Sequence, residues 1–327
     1  MSRVRYFAFR AVQTVFMLWL ALTLLFFFFR MMPGDYTDLM LHQGASPESV
    51  EAFRESWGLN DPLHVQYYRY LINLLQGDAG TSLVYRVPVW GYIKNKIFNS
   101  FILIAPGITL AYLLGSAYGT IAGTNRGSVI EKYGIVPVIF LGSFPAFVTA
   151  IFLVIIFAGT LDWFPTSGML SGAGRGTLTE VSWWRPYLSA DFAHHYILPF
   201  TAVVLRYLYL PSLVMRTSVI EVMGQAFTEY HRRTGISRFA QLRHLGKHAS
   251  LPVITIYPVS MTRAIGGLVL IEAVFNWPGI GSALIESVFS RDFPIIQVVF
   301  FIVAAFIIIA NFVVDVLYGV IDPRVSV

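Results

Sequence analysis

The sequence has 327 residues, of which 56% are hydrophobic and 13% are charged, and its mean hydropathy is +0.65. This composition excludes an ordinary soluble domain and predicts an all-α, polytopic membrane protein without disulfides, since no cysteine is present. The formal net charge is +5, but the basic residues cluster at the ends of apolar runs, which indicates membrane topology rather than nucleic-acid binding.

The first predicted membrane span is the apolar run from Tyr6 to Phe29, which follows Arg3, Arg5 and Arg10. It is long enough to cross a hydrocarbon core, which takes about 20 helical residues. A secretory signal peptide has a shorter apolar region and a small-residue cleavage site, so this run is expected to be retained. Residues 1–29 are therefore predicted to form a cytoplasmic N-terminal tail and the first span.

Residues 30–97 are predicted to form an extracytoplasmic helical segment. The stretch 30–98 contains seven acidic and six basic residues, so it lacks the basic excess that keeps short loops in the cytoplasm. Within it, Ser46-Pro47-Glu48 precedes an amphipathic stretch that runs to Trp57. This pattern is typical of a capped surface helix.

The remaining chain, 98–327, is predicted to form the core of the protein with five further spans. Their approximate limits are Phe98–Ala122, Tyr133–Ala158, Tyr196–Met215, Pro252–Val274 and Pro294–Val320. The third span contains Pro137, Gly142 and Pro145, and such breakers are tolerated where neighbouring helices cover the freed backbone groups. Six spans with both termini in the cytoplasm agree with the charge of every loop.

A polar, basic insert at 221–252 separates the fourth and fifth spans. Two helical halves, about Val222–Arg233 and Ser237–His248, are predicted to meet at Gly235, because glycine turns a chain sharply at low steric cost. The charge of the insert fits a cytoplasmic helix–turn–helix that binds a soluble partner. It also fits a solvated loop that only orients the protein.

Short motifs of one known family are spread over nearly the whole chain. In the insert these are Glu229, Gly235 and Leu251–Pro252, with Tyr230 and His231 at two positions where the family has alanine. Elsewhere they are Pro33-Gly34-Asp35, Gly58 to Tyr67, Gly77 to Ser82, Pro88-Val89, Leu161 to Gly168, Glu272 to Gly281, and Asn311 and Asp315 with Asp322-Pro323-Arg324. Together they resemble the permease subunits of binding-protein-dependent ABC importers, in the dipeptide/oligopeptide (peptide/nickel) branch.

This resemblance implies the type I ABC importer permease fold and a division of labour among subunits. The expected partners are a homologous second permease, two ATP-binding subunits and an extracytoplasmic solute-binding protein, in the cell membrane of a prokaryote. ATP and Mg would be bound by the partner ATPases, so this chain is expected to hold no cofactor and to be no enzyme itself. The residues implied to contact an ATPase are Glu229, Tyr230, His231, Arg232, Arg233, Gly235, Ile236 and Ser237.

The residues themselves give no sign of catalysis on this chain. No G-x-x-x-x-G-K-[ST] stretch is present to cradle the phosphates of ATP. His244 and His248 are four residues apart and could share one helical face as metal ligands, but no third ligand accompanies them. Solvated histidines are the favoured interpretation, and no metal site is predicted.

Two arginines fall near the middle of predicted spans, Arg206 in the fourth and Arg263 in the fifth. A charge at mid-membrane costs about 2.5–3.5 kcal/mol, so both side chains should face protein or water. They could line a cavity that attracts a carboxylate-bearing substrate, or form structural pairs with acidic residues, or lie between two permeases. The candidate substrate-pathway residues are Arg206, Arg263, Glu272, Asn311 and Asp315.

The sequence therefore favours an ATP-driven importer of peptides, or of a related solute such as an oligosaccharide or a nickel chelate. An ion-coupled secondary transporter is the alternative, and it predicts paired carboxylates and repeat symmetry near the midplane, which the sequence does not show. A membrane scaffold or receptor would explain six spans but not the basic helix–turn–helix.

Overall fold

The computed structural model of the chain describes residues 3–31, 37, 40–41, 44–56, 58–172, 184–226, 228 and 236–321. Within these residues every regular element is helical, and β pairing is limited to an isolated antiparallel bridge between Thr81 and Pro88. The predicted all-α class is confirmed.

The helices are numbered here in chain order. They are α1 (Arg3–Met31), α2 (Pro47–Ser56), α3 (Leu63–Leu75), α4 (Val89–Thr124), α5 (Val129–Ser143), α6 (Ala146–Leu153), α7 (Ala190–Met223), α8 (Arg238–Ala249), α9 (Leu251–Phe275), α10 (Ile280–Phe289) and α11 (Phe293–Ile321). A π-helical turn, Val154–Thr160, extends α6, and a short 3-10 helix, Arg185–Leu188, precedes α7. Helix α2 begins where the sequence predicts it, because the Ser46 hydroxyl accepts the backbone N–H of Ser49 at 3.2 Å.

Five of the described helices are long and apolar enough to cross a membrane, namely α1, α4, α7, α9 and α11. The pair α5 and α6 gives a sixth crossing if it is counted as one broken span. The sequence predicts a continuous run over 133–158, but the two helices bend by 104° at the break. The break follows from Pro145, since proline disfavours helical backbone in the residue before it, and Phe144 is accordingly extended (φ −76°, ψ 144°).

The chain divides into two compact units, one of Met1–Phe98 with Gly279–Val327 and the other of Asn99–Pro278. In the first unit α1 lies along α11, and Arg10 forms an ion pair with Asp315 at 3.3 Å. Asp315 therefore ties the two terminal spans together.

Helix α3 packs on the first span within the same unit. Phe26 of α1 is 2% exposed and lies against the rings of Tyr67 and Tyr70. The hydroxyls of Thr23 and Tyr67 are 2.6 Å apart and share a hydrogen bond. Part of the predicted 30–97 segment is thus docked on α1 by aromatic contacts.

A buried carboxylate fixes the loop between α3 and α4. Asp292 is fully buried and accepts hydrogen bonds from the Ser82 hydroxyl and from the backbone N–H groups of Leu83 and Val84, each of the latter at 3.2 Å. Three donors on one carboxylate offset the cost of burying its charge. The family motif that ends at Ser82 therefore has a structural role in this loop.

Helix α7 is the centre of the second unit, where it packs against α5, α6, α8 and α9. Helix α4 also approaches it through Gly115, Gly119 and Gly123, which are spaced every fourth residue. A Cβ at Gly115 would lie 2.7 Å from the carbonyl oxygen of Leu208, and one at Gly119 would collide with the carbonyl oxygen of Ser212. The two backbones are therefore in direct contact, as small residues at this spacing allow in membrane helices.

Candidate coupling surface and translocation path

Helix α8 is the second half of the basic insert. Its N-cap is Ser237, whose hydroxyl accepts the backbone N–H of Ala240 at 3.4 Å. The side chain of Gln241 donates to the carbonyl of Ile236 at 2.8 Å, which fixes the entry into the helix. The predicted helical half over 237–248 is confirmed.

The first half of the insert is described only in part. Its predicted helix, 222–233, begins inside α7, which continues to Met223. Of the residues implied to contact an ATPase, the structure describes Ile236 and Ser237. The others lie outside the described residues, namely Glu229, Tyr230, His231, Arg232, Arg233 and Gly235.

Helix α8 has a buried face and an exposed basic face. Leu245 and Ala249 are buried in the core of the second unit. The exposed basic face consists of Arg243, His244, Lys247 and His248, and no acidic residue lies in this helix. Within the described residues, no group of three or more histidines and carboxylates could hold a metal ion. The face is therefore suited to an acidic protein surface.

The two mid-span arginines lie on α7 and α9 in the second unit. Arg206 is half-buried, and its guanidinium lies 5.6 Å and 5.5 Å from the ring centres of Tyr207 and Tyr209. Arg263 is exposed at the middle of α9. Among the described residues neither arginine forms a salt bridge, so the structural pairs considered for them are not present there.

The acidic and amide candidates for the pathway have different surroundings. Glu272 is fully buried, and its carboxylate accepts the hydroxyl of Ser100 at 2.5 Å. Asn311 is exposed on α11, and Asp315 of the same helix pairs with Arg10. The role of these residues in a substrate pathway stays a prediction.

An open stripe runs along α9 through Arg263. The exposed residues Val259, Arg263, Gly266, Leu270 and Ala273 follow one another at alternating spacings of four and three, which places them on one face of the helix. A Cβ built on Gly266 would meet no atom within 4 Å. Because a charge facing lipid at this depth is costly, the stripe requires water or protein against it.

The structure adds hydroxyl-bearing residues that the sequence analysis does not identify. A cavity of about 470 Å³ lies between α4, α8 and α9 in the second unit, and none of the five candidate pathway residues lines it. At its wall, Thr109 shares a hydrogen bond with Tyr257 at 2.7 Å, and Tyr112 bonds Ser260 at 2.5 Å. Helical spacing of polar residues along an apolar run is the pattern that would have pointed to this wall.

A buried polar cluster closes one end of the second unit. The indole N–H of Trp277 donates to the carbonyl of Asn99 at 3.0 Å, and the amide of Asn99 donates to the carbonyl of Pro278 at 2.8 Å. Asn276 ends α9 in the left-handed conformation, which turns the chain back toward α4. The motif that begins at Glu272 thus fastens α9 to α4.

The long apolar helices define the class of the protein, a multi-pass membrane protein. Residues 115–327 match the family described as "Binding-protein-dependent transport system inner membrane component", and residues 3–103 match its N-terminal family, "Binding-prot-dependent transport system membrane comp, N-term". The chain therefore belongs to this family of inner-membrane transport permeases, and the resemblance read from its motifs is confirmed.

Relatives of known name cover nearly the full length of the chain. It is 34% identical over 302 residues to the oligopeptide transport system permease protein AppB of Bacillus subtilis (strain 168), with 90% of each chain covered. It is 33% identical over 303 residues to the glutathione transport system permease protein GsiC of Salmonella paratyphi A, with 92% of each chain covered. These relatives agree with the peptide/nickel branch of type I ABC importer permeases.

Proposed function

We propose that this chain is one of two permease subunits through which an ABC importer moves peptides into the cell, driven by separate ATPase subunits that dock on the 221–252 insert. The observation that carries the proposal is the exposed basic face of α8 in a chain of this family. It offers a preformed, positively charged helix surface next to the predicted docking residues. ATP and Mg are bound by the partner chains, and both termini of this chain lie in the cytoplasm.

Two observations support a peptide as the solute. The named relatives carry oligopeptides and glutathione, both of which bear carboxylates. In this chain Arg263 is exposed on the open stripe of α9, where it can attract a carboxylate in a water-filled path. A binding protein on the outer side delivers the solute, and the second permease completes the path.

The docking surface is tested by purification of the complex from gently solubilised membranes. We expect ATPase subunits and a second permease to copurify with the wild-type chain. Reversing one charge on the basic face with Lys247→Glu should lower recovery of the ATPase about fivefold, or about 1 kcal/mol, as for a partly exposed ion pair. The matched control is Lys94→Glu, an exposed lysine outside the insert. A wild-type chain that purifies alone would contradict the proposal.

A further inference from the structure

The turn between α4 and α5 is held by a reciprocal hydrogen-bond pattern. The Ser128 hydroxyl accepts the backbone N–H of Glu131 at 3.3 Å, and the Glu131 carboxylate accepts the backbone N–H of Gly127. The pattern is related to a capping box, but the carboxylate reaches the residue before the N-cap Ser128, and it fixes the first turn of α5 to the preceding residues. We call residues 125–131 the α4–α5 turn.

The same carboxylate also holds α7. Its second oxygen accepts hydrogen bonds from Nε of Arg216 at 2.7 Å and from Nη2 of the same guanidinium. Glu131 is 7% exposed, so this ion pair is shielded from water on its acidic side. Arg216 lies two turns before the end of α7 at Met223, where the chain enters the insert. The α4–α5 turn is therefore bound to the incoming side of the insert.

A second contact binds the turn to the outgoing side. Arg238, the first residue of α8, donates to the side-chain oxygen of Asn125 at 3.1 Å. The side-chain amide of Asn125 in turn donates to the carbonyl of Ile121 in the last turn of α4. This contact is exposed and has a neutral acceptor, so it is more easily broken than the ion pair of Glu131.

Backbone packing prevents α4 from moving independently of α7 at this level. A Cβ on Gly123 would lie 2.9 Å from the carbonyl oxygen of Arg216 and 2.9 Å from the side chain of Val219. The last turn of α4 thus rests directly on the part of α7 that holds Glu131. Displacement of either side of the insert must act on the α4–α5 turn through these contacts.

We propose that the α4–α5 turn is a second coupling element, with Asn125 and Glu131 as positioning residues that carry movement of the 221–252 insert into α4 and α5. The inference rests on the proposed function, because the insert moves only if an ATPase drives it. The ion pair keeps the turn on α7, whereas the contact of Asn125 with Arg238 responds to the position of α8.

The test uses the complete transporter in proteoliposomes, with ATP hydrolysis and solute uptake measured together. Glu131→Gln keeps an acceptor for Gly127 but removes the charge that holds Arg216. We expect the solute moved per ATP hydrolysed to fall on the order of fivefold or more. The double reversal Glu131→Arg with Arg216→Glu should restore at least part of this ratio. Glu286→Gln is the matched control, since its carboxylate pairs with Lys96 and neither residue belongs to the insert or to the α4–α5 turn.

Three outcomes distinguish the alternatives. If Glu131→Gln lowers the amount of complex but leaves the ratio of transport to hydrolysis unchanged, the pair is only structural and the inference is wrong. If Glu131→Gln does not assemble, Asn125→Ala is the second variant, because its contact with Arg238 is exposed and its loss should leave the fold intact. This variant must lower the solute moved per ATP hydrolysed. An unchanged value also overturns the inference. If the wild-type chain binds no ATPase, the proposed function fails first.

Discussion

Arg263 shows how a single residue constrains the environment of its helix. Its side chain is exposed at mid-span without a described ion-pair partner, so the surrounding face must be covered by water or protein. If it attracts the carboxylate of the solute, Arg263→Ala should raise the half-saturating concentration of a peptide with a free C-terminal carboxylate. The expected change is on the order of tenfold, or about 1.4 kcal/mol. Initial uptake rates in proteoliposomes measure it.

Two comparisons separate this role from a structural one. Arg263→Lys keeps the positive charge and should retain most of the uptake. A C-terminally amidated peptide has no carboxylate at that end, so its uptake should depend little on Arg263. Equal loss with both peptides would assign the residue to packing or to the interface between permeases.

Ion pairs between residues that are far apart along the chain are the part of the site that the sequence predicts least. Rise per residue predicts Arg206 and Arg263 at mid-span, and they lie near the middle of α7 and α9. The sequence does not predict that Asp315 pairs with Arg10, or that Arg216 pairs with Glu131, because those partners are far apart along the chain. Only the packing of helices brings such residues together.

At the scale of elements, the glycines of α4 set how closely it approaches α7. A Cβ at Gly119 would lie 2.8 Å from Cβ of Met215 and 3.0 Å from the backbone nitrogen of Arg216, besides its collision with a carbonyl oxygen. Gly119→Ala should therefore destabilise the protein by about 1–3 kcal/mol, as overpacking does. Thermal unfolding of the detergent-solubilised permease measures this change.

The same substitution elsewhere in the helix provides the control. Gly91 lies in the first turn of α4, and a Cβ there would meet no atom within 4 Å. Gly91→Ala should leave the unfolding temperature unchanged or raise it slightly, because alanine favours helix over glycine. If both variants unfold at the same temperature, the close contact between α4 and α7 is not present in the protein.

Elements with a strong local pattern were predictable, but the effect of a helix breaker inside them was not. The helix predicted over 237–248 depends only on residues that are close together in the sequence, and the structure has α8 there with Ser237 as its N-cap. The apolar run over 133–158 continues through Pro145, so hydropathy alone gives no break where the structure bends. The glycine spacing in α4 is typical of small-residue packing but was not used as a prediction, and it does not specify the partner helix.

At the scale of the whole molecule, the chain combines apolar helices long enough to cross a membrane with a basic face on α8. The membrane class follows from composition, because 56% of the residues are hydrophobic and only 13% are charged. The chain has too few polar residues to form the surface of a soluble domain. The energy source does not follow from this chain, since ATP would be hydrolysed by its partners. We therefore expect solute movement to depend on ATP rather than on an ion gradient.

The most direct measurement is uptake of a radiolabelled peptide by proteoliposomes that contain the complete transporter and the loaded binding protein. We expect uptake that requires ATP on the side of the ATPases and persists when ionophores collapse all ion gradients. Uptake that proceeds without ATP and stops on addition of an ionophore would contradict it, and would assign the chain to ion-coupled transport.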